Sequence, residues 1–234
     1  MPTTSATSPP YQIHHYPASL IDTRTLRNGA RLTLRPVLPQ DCLLIGELMV
    51  GLSPAARHQR FHGAVKLSAA RLLQMSCVDY ARQLAVVVTA QVDGTERVIA
   101  DARYCVGDDQ SAEFALVVDE QWQRQGVGAW ALNALQQAAS AADVGVLQGA
   151  VECSNAAMLG LAQHCGLRCT PDPEDDRRAR VEIQLGTARR AAPGPRPAPR
   201  RRVAAWLSHA ALMQHLRCAL HALHTPRAAS RLAS

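Results

Sequence analysis

Lysine is nearly absent from this chain. Of its 25 basic residues only Lys66 is lysine, and the rest are arginine. A compositional preference for Arg, of a piece with the high Ala content, is the simplest account of that imbalance. Long apolar runs are missing too. Charged or polar residues interrupt every hydrophobic stretch short of the length a bilayer crossing needs, so no transmembrane helix is expected. Residues 1–17 are rich in Thr, Ser and Pro and lack the basic start and apolar centre of a secretory signal. The seven cysteines include no Cys-x-x-Cys pair and sit mostly in apolar runs. That pattern fits buried free thiols in a reducing cytoplasm better than disulfides or zinc. Nine histidines are present, but most lie near the termini, and His221 with His224 has no third ligand nearby. No metal is expected.

Acidic residues are missing altogether from one end. Residues 186–234 hold nine Arg and no Asp or Glu, a net charge of +9. The remainder carries 16 basic residues (25 less nine) against all 19 acids, a net of −3. A slightly acidic body suits a cationic partner and argues against nucleic-acid binding by that part.

What the chain does have is concentrated between Glu113 and Ala131. Phe114 to Val118 is a run of β-formers, read as a buried strand. From Gly126 the pattern changes to helical spacing, with Val127, Trp130, Ala131, Leu135 and Ala138 on one side. Between them stands Gln123-Arg124-Gln125-Gly126-Val127-Gly128. A strand that turns through glycines into a helix leaves several N–H groups unpaired at the positive end of the helix dipole, a ready site for phosphate. A Cβ at Gly126 or Gly128 is expected to block that approach, and Arg124 supplies a mobile positive charge. The segment is not a Walker loop, because Ala129-Trp130 stands where Lys and Ser or Thr would follow the last glycine. It also has one glycine too few for a dinucleotide fingerprint.

Around this segment the chain reads in a consistent order. Residues 1–28 have four prolines and little periodicity, and are expected to be disordered. A domain over 29–186 begins with a strand at 31–36 and continues with helices at 39–51, 54–61 and 68–76. Strands follow at 83–92, 98–104 and 112–118, then a helix at 126–142, a strand at 144–151 and a helix at 155–165. Short strands near 167–170 and 179–185 end it. The fold class is mixed α/β: a predominantly antiparallel sheet with helices on both faces.

Gln123-x-x-Gly126-x-Gly128-Ala129 resembles the pyrophosphate loop of the GNAT acyltransferases, and the order of elements matches theirs. Asn155-Ala156-Ala157-Met158 through Gly166-Leu167 is similar to their second cofactor segment. Four further features resemble bacterial protein lysine acetyltransferases: Leu52-Ser53-Pro54 with Arg57 and Arg60-Phe61, Asp79-Tyr80, Ala112-Glu113-Phe114-Ala115, and Met158. The resemblance implies a GNAT fold and acetyl-CoA as cosubstrate. It further implies that Leu116, Val117 and Val118 offer backbone groups to the pantetheine arm and the thioester oxygen. Gln123, Arg124, Gln125, Gly126, Val127, Gly128 and Ala129 would hold the pyrophosphate, and Asn155 would meet the pantetheine or the departing sulfur. The acceptor it implies is a primary amine, a protein lysine first and a small molecule otherwise. A non-catalytic acyl-CoA-binding module is the alternative.

A lysine ammonium, with a pKa of about 10.4, must lose a proton before it can attack. Glu113 is the candidate base. It is the only acid in an apolar strand, where desolvation raises a carboxyl pKa, and the related acetyltransferases carry a Glu there. The Tyr that many GNATs place seven residues after the Asn is Ala162 here, so no acid is assigned to the thiolate. Tyr80 and Tyr104 are the substitutes to examine.

Beyond the domain, residues 187–202 read as a stiff basic linker. Residues 203–234 hold an amphipathic helix with Trp206, Met213, Leu216, Leu220 and Leu223 along one side. Such a tail suits an anionic surface or a partner's groove.

Overall fold

A computed structural model describes residues 15–63 and 65–186. Eight strands form one sheet in the order β1-β2-β3-β4-β5-β6-β8-β7. They are β1 (Asp22–Thr25), β2 (Arg31–Pro36), β3 (Gln83–Val92), β4 (Thr95–Val106), β5 (Ser111–Val118), β6 (Val146–Glu152), β7 (Arg168–Pro171) and β8 (Arg178–Gln184). The helices are α1 (Cys42–Gly51), α2 (Pro54–Phe61), α3 (Ala69–Ser76), α4 (Val127–Ala141) and α5 (Ala156–His164). Every neighbouring pair of strands is antiparallel except β5 and β6. The sheet is therefore mixed and predominantly antiparallel, as the sequence pattern implies.

Helices cover both faces, which explains why β3 reads as an unbroken apolar run rather than an alternating one. Leu84, Val86, Val88 and Ala90 enter the core under α4, while Ala85 and Val87 enter a second core with Ile45, Leu48, Met49 and Phe61. β5 divides in the same way. Ala112 and Phe114 belong to the first core, and Val117 to the second. Glu113 shares the face of Val117.

The helix starts follow local chemistry. Ser53 accepts from Ala56 N–H ahead of Pro54, and Ser68 accepts from Arg71 N–H at the start of α3. Between the second core and the sheet lies a buried charge cluster. Asp101, fully buried, accepts from Arg60 Nη2 at 3.1 Å and Arg103 Nε at 3.0 Å, and also bonds Arg103 Nη2. Arg103 Nη1 donates to Met75 O at 2.9 Å. The cluster thereby ties α2 and α3 to β4.

The expectation of disorder through residue 28 fails where the chain is described. Residues 18–20 form a 3-10 turn, β1 pairs with β2, and Tyr16 Oη donates to Pro36 O at 3.1 Å. Trp130 Nε1 donates to Asp22 Oδ2 at 2.9 Å, fastening the edge strand to α4. Residues 1–14, the basic linker 187–202 and the amphipathic segment 203–234 lie outside the described residues. No helix among the described residues is long and apolar enough to cross a membrane.

Candidate active site

β5 and β6 are joined over three rungs only: Ser111 with Val146, Ala112 with Leu147, and Glu113 with Gln148. Past that point they separate. At the vertex a Cβ on Gly149 would stand 3.1 Å from Phe114 Cε1 and 3.3 Å from Phe114 O. Glycine is what lets the strands meet there before they part. The gap opens into a cavity of about 640 Å³, walled by residues 114–118, the turn before α4, residues 149–152, α5 and the inner side of α2.

The β5 backbone supplies this gap with polar groups. Asp119 N–H donates to Ile99 O, and Gly107 N–H to Ser111 O. By antiparallel alternation the odd-numbered residues turn N–H and C=O toward β4. Leu116 and Val118 turn theirs toward the gap, and Val118 O there accepts from Gln123 Nε2 at 3.0 Å. Val117 borders the cavity but directs its backbone to β4, so of the three expected backbone contributors it is the one turned away.

The turn into α4 bends twice through the left-handed region, at Arg124 (φ 61) and Gly126 (φ 84). Gly126 is the N-cap of α4 and provides no side-chain cap. The first N–H groups of the helix, on Val127, Gly128 and Ala129, therefore have no side-chain cap among the described residues and sit at the positive end of the dipole. The two glycines have different reasons to be there. A Cβ on Gly126 would meet nothing within 4 Å, so this position needs glycine for its φ. A Cβ on Gly128 would lie 3.0 Å from Leu161 Cδ2, so there glycine sets how closely α4 approaches α5 and β5.

Nine of the eleven expected cofactor residues stand on the cavity wall: Leu116, Val117, Val118, Gln123, Arg124, Gly126, Gly128, Ala129 and Asn155. Two do not. Gln125 is exposed and donates to Gln121 O, and the Val127 side chain is buried in the first core. Asn155 is partly committed already, since its Oδ1 caps α5 by accepting from Met158 N–H at 3.0 Å.

Glu113 stands at the vertex, one rung behind the wall. Burial raises its pKa to about 7, and it has no hydrogen bond or ion pair among the described residues. Tyr80 and Tyr104 are both off the wall. Tyr80 donates its hydroxyl to Val37 O, and Tyr104 is buried in the first core. His62, not singled out from the sequence, does line the cavity. Beside it His58 Nε2 and Glu152 Oε1 meet at 3.2 Å, linking α2 to the end of β6. No group of three or more His, Cys, Asp or Glu side chains placed to hold a metal occurs among the described residues.

A splayed strand pair beside an uncapped helix N-terminus is the arrangement of the GNAT acyltransferase fold. Residues 55–167 match the family model described as the acetyltransferase (GNAT) family, so the chain carries a GNAT domain. Within that family it is similar to Pat. It is 32% identical over 143 residues to acetyltransferase Pat of Mycolicibacterium smegmatis, covering 60% of this chain and 42% of that protein. An acetyltransferase of Pseudomonas aeruginosa is 29% identical over 154 residues, covering 64% of this chain and 82% of its own length. The solved GNAT domain of S. lividans PAT superposes with a TM-score of 0.65 at 22% identity, covering 73% of this chain and all of that one. This chain thus spans less than half of the Mycolicibacterium protein.

Proposed function

We propose that the protein is a cytoplasmic acetyl-CoA-dependent N-acetyltransferase acting on primary amines, with protein lysine side chains as the first acceptor class. The observation that carries this reading is the gap between β5 and β6, with helix N–H groups that no side chain caps among the described residues at one end and Glu113 at its vertex.

The residues present fit the cosubstrate. Uncapped N–H groups of residues 127–129 with the Arg124 guanidinium match a diphosphate. The gap-facing amides of Leu116 and Val118 match the amide-bearing pantetheine arm and a thioester oxygen. When bound, acetyl-CoA supplies the activated acyl group. The chain's part is to orient it, to polarise the carbonyl through fixed backbone dipoles, and to take a proton from the acceptor. Glu113, with a pKa of about 7, is matched to that task at neutral pH. It takes the ammonium proton directly or through water.

The test is release of CoA from acetyl-CoA with amine acceptors, with mass spectrometry to locate the acetyl group. Glu113→Gln should bind acetyl-CoA normally and lose about 100-fold or more in turnover. Full activity in that variant would remove Glu113 from the reaction. Cofactor binding with no transfer to any amine would leave a binding module instead.

A further inference from the structure

His62 closes α2 in a backbone conformation that side chains rarely adopt, with φ 53 and ψ 35. This is strained for a residue with a Cβ, although Gly63, which would accept it freely, is the next residue. Its Nδ1 is buried and has no hydrogen-bond partner among the described residues, whereas buried polar atoms in native proteins are nearly always paired. The residue also lines the cavity, at the end of α2. Strain, an orphaned nitrogen and a cavity wall therefore coincide at one side chain.

Its surroundings favour the neutral ring. Burial acts first in lowering the pKa below the ordinary histidine value. The charged groups facing it are Arg178 of β8, Glu152 of β6, and Arg60 and His58 of α2. Only Glu152 favours the protonated form. A neutral imidazole has one nitrogen with a free lone pair.

We propose that His62 accepts, through Nε2 because burial closes Nδ1 off from the cavity, the second proton an acceptor amine must lose. This rests on the acetyl-transfer reading above and assigns a step that Glu113 leaves open. An alkylammonium gives up two protons on becoming an amide. The first goes to Glu113. The neutral amine then uses its lone pair to form the C–N bond to the thioester carbonyl carbon, the C–S bond breaks, and sulfur leaves with the bonding pair. Nitrogen, positively charged after attack, passes its excess proton to His62. Of the two protons, one ends on the CoA thiol and the other in solvent.

The experiment uses the full chain, acetyl-CoA, and two probes: n-propylamine and an N-terminally blocked Ala-Lys-Ala peptide. The variant is His62→Gly, because glycine adopts this φ without strain and the melting temperature should not fall. Acetyl-CoA affinity by calorimetry should be unchanged and kcat should drop about 100-fold. Added imidazole should restore at least about tenfold of that loss, increasingly as pH raises its neutral fraction. A merely structural His62 would show no such rescue. Activity within about twofold of the parent, or a loss that imidazole does not recover, overturns the proposal. If Glu113→Gln is inactive while His62→Gly is not, only the His62 assignment falls. If the parent protein transfers to neither amine, the acetyl-transfer reading falls and takes this step with it.

Discussion

Glu113 faces Gln148 across the last rung that joins β5 to β6, and beyond that rung the two strands part. The carboxylate is thus fixed by sheet pairing on one side and released from it on the other. Half-buried and without a cationic partner among the described residues, it holds its proton to a higher pH than an ordinary glutamate. The pKa of about 7 has burial as its cause, which sets the pH behaviour of both activity and stability. As a base Glu113 must be ionised, so kcat/KM should rise with pH through an apparent value near 7 and level off above it.

For stability the sign is the reverse. The folded state holds the proton up to about pH 7, whereas the unfolded chain releases it near the ordinary glutamate value, 4.5. Stability therefore declines as pH rises between those two values. Glu113→Gln removes the cost of the buried charge. We expect it to raise the melting temperature above pH 7, with an upper bound of about 3 kcal/mol, and to change little near pH 4. Urea titrations at pH 4 and 8 test this; equal effects at both would show that burial does not govern the group.

Much of this site is legible in the sequence because its parts are local. The strand at 114–118, the two glycines and the helical spacing after Gly126 are contiguous, and each residue type has one main backbone use there. Glu113 stands out as the only acid in an apolar strand. β1 is not legible, because all four of its residues are exposed and have no alternation to read. It is held by edge pairing and by Asp22 on Trp130, the latter a contact made across more than a hundred residues. His62 escapes for a related reason: a left-handed helix end is announced by Gly or Asn, not by His. That Gln125 and Val127 leave the cavity wall follows from the phase of the turn, which composition does not specify.

The glycines of the turn predict two separable effects. Gly126→Ala meets no steric obstacle but forces a Cβ onto φ 84, and should cost about 1 kcal/mol of stability. Gly128→Ala places its methyl 3.0 Å from the end of the flexible Leu161 side chain, which can yield, so stability should fall by less. Both should weaken acetyl-CoA binding, by about tenfold for a lost or misdirected charge-assisted hydrogen bond. Calorimetry on both variants checks the order. Unchanged affinity in each would move the diphosphate away from this turn.

The buried Asp101 cluster predicts a stability defect remote from chemistry. Burial alone would raise the Asp101 pKa, but Arg103 and Arg60 together hold it below the ordinary value. Its contribution is therefore complete at neutral pH and is lost only as pH falls through that depressed value. Asp101→Asn leaves two guanidiniums buried beside each other without a counter-charge, a loss of about 3–5 kcal/mol. Because Arg60 belongs to α2, the cavity wall should loosen along with the fold. Hydrogen exchange over residues 54–61 should quicken more than over α4. Uniform protection in the two helices would contradict the link.

Asn155 separates helix capping from cofactor contact. Its Oδ1 already serves Met158 N–H, so Asn155→Ala should lose about 1 kcal/mol from α5. Asn155→Asp keeps an acceptor oxygen for the cap and places a negative charge at the N-terminus of α5, which the helix dipole tolerates. Its stability should match the parent, while the charge now stands on the cavity wall. If Asn155 meets the carrier arm through its amide N–H, the Asp variant has no donor to offer there. KM for acetyl-CoA should then rise about tenfold with the melting temperature unchanged. Equal KM in the parent and the Asp variant would leave Asn155 with the cap alone.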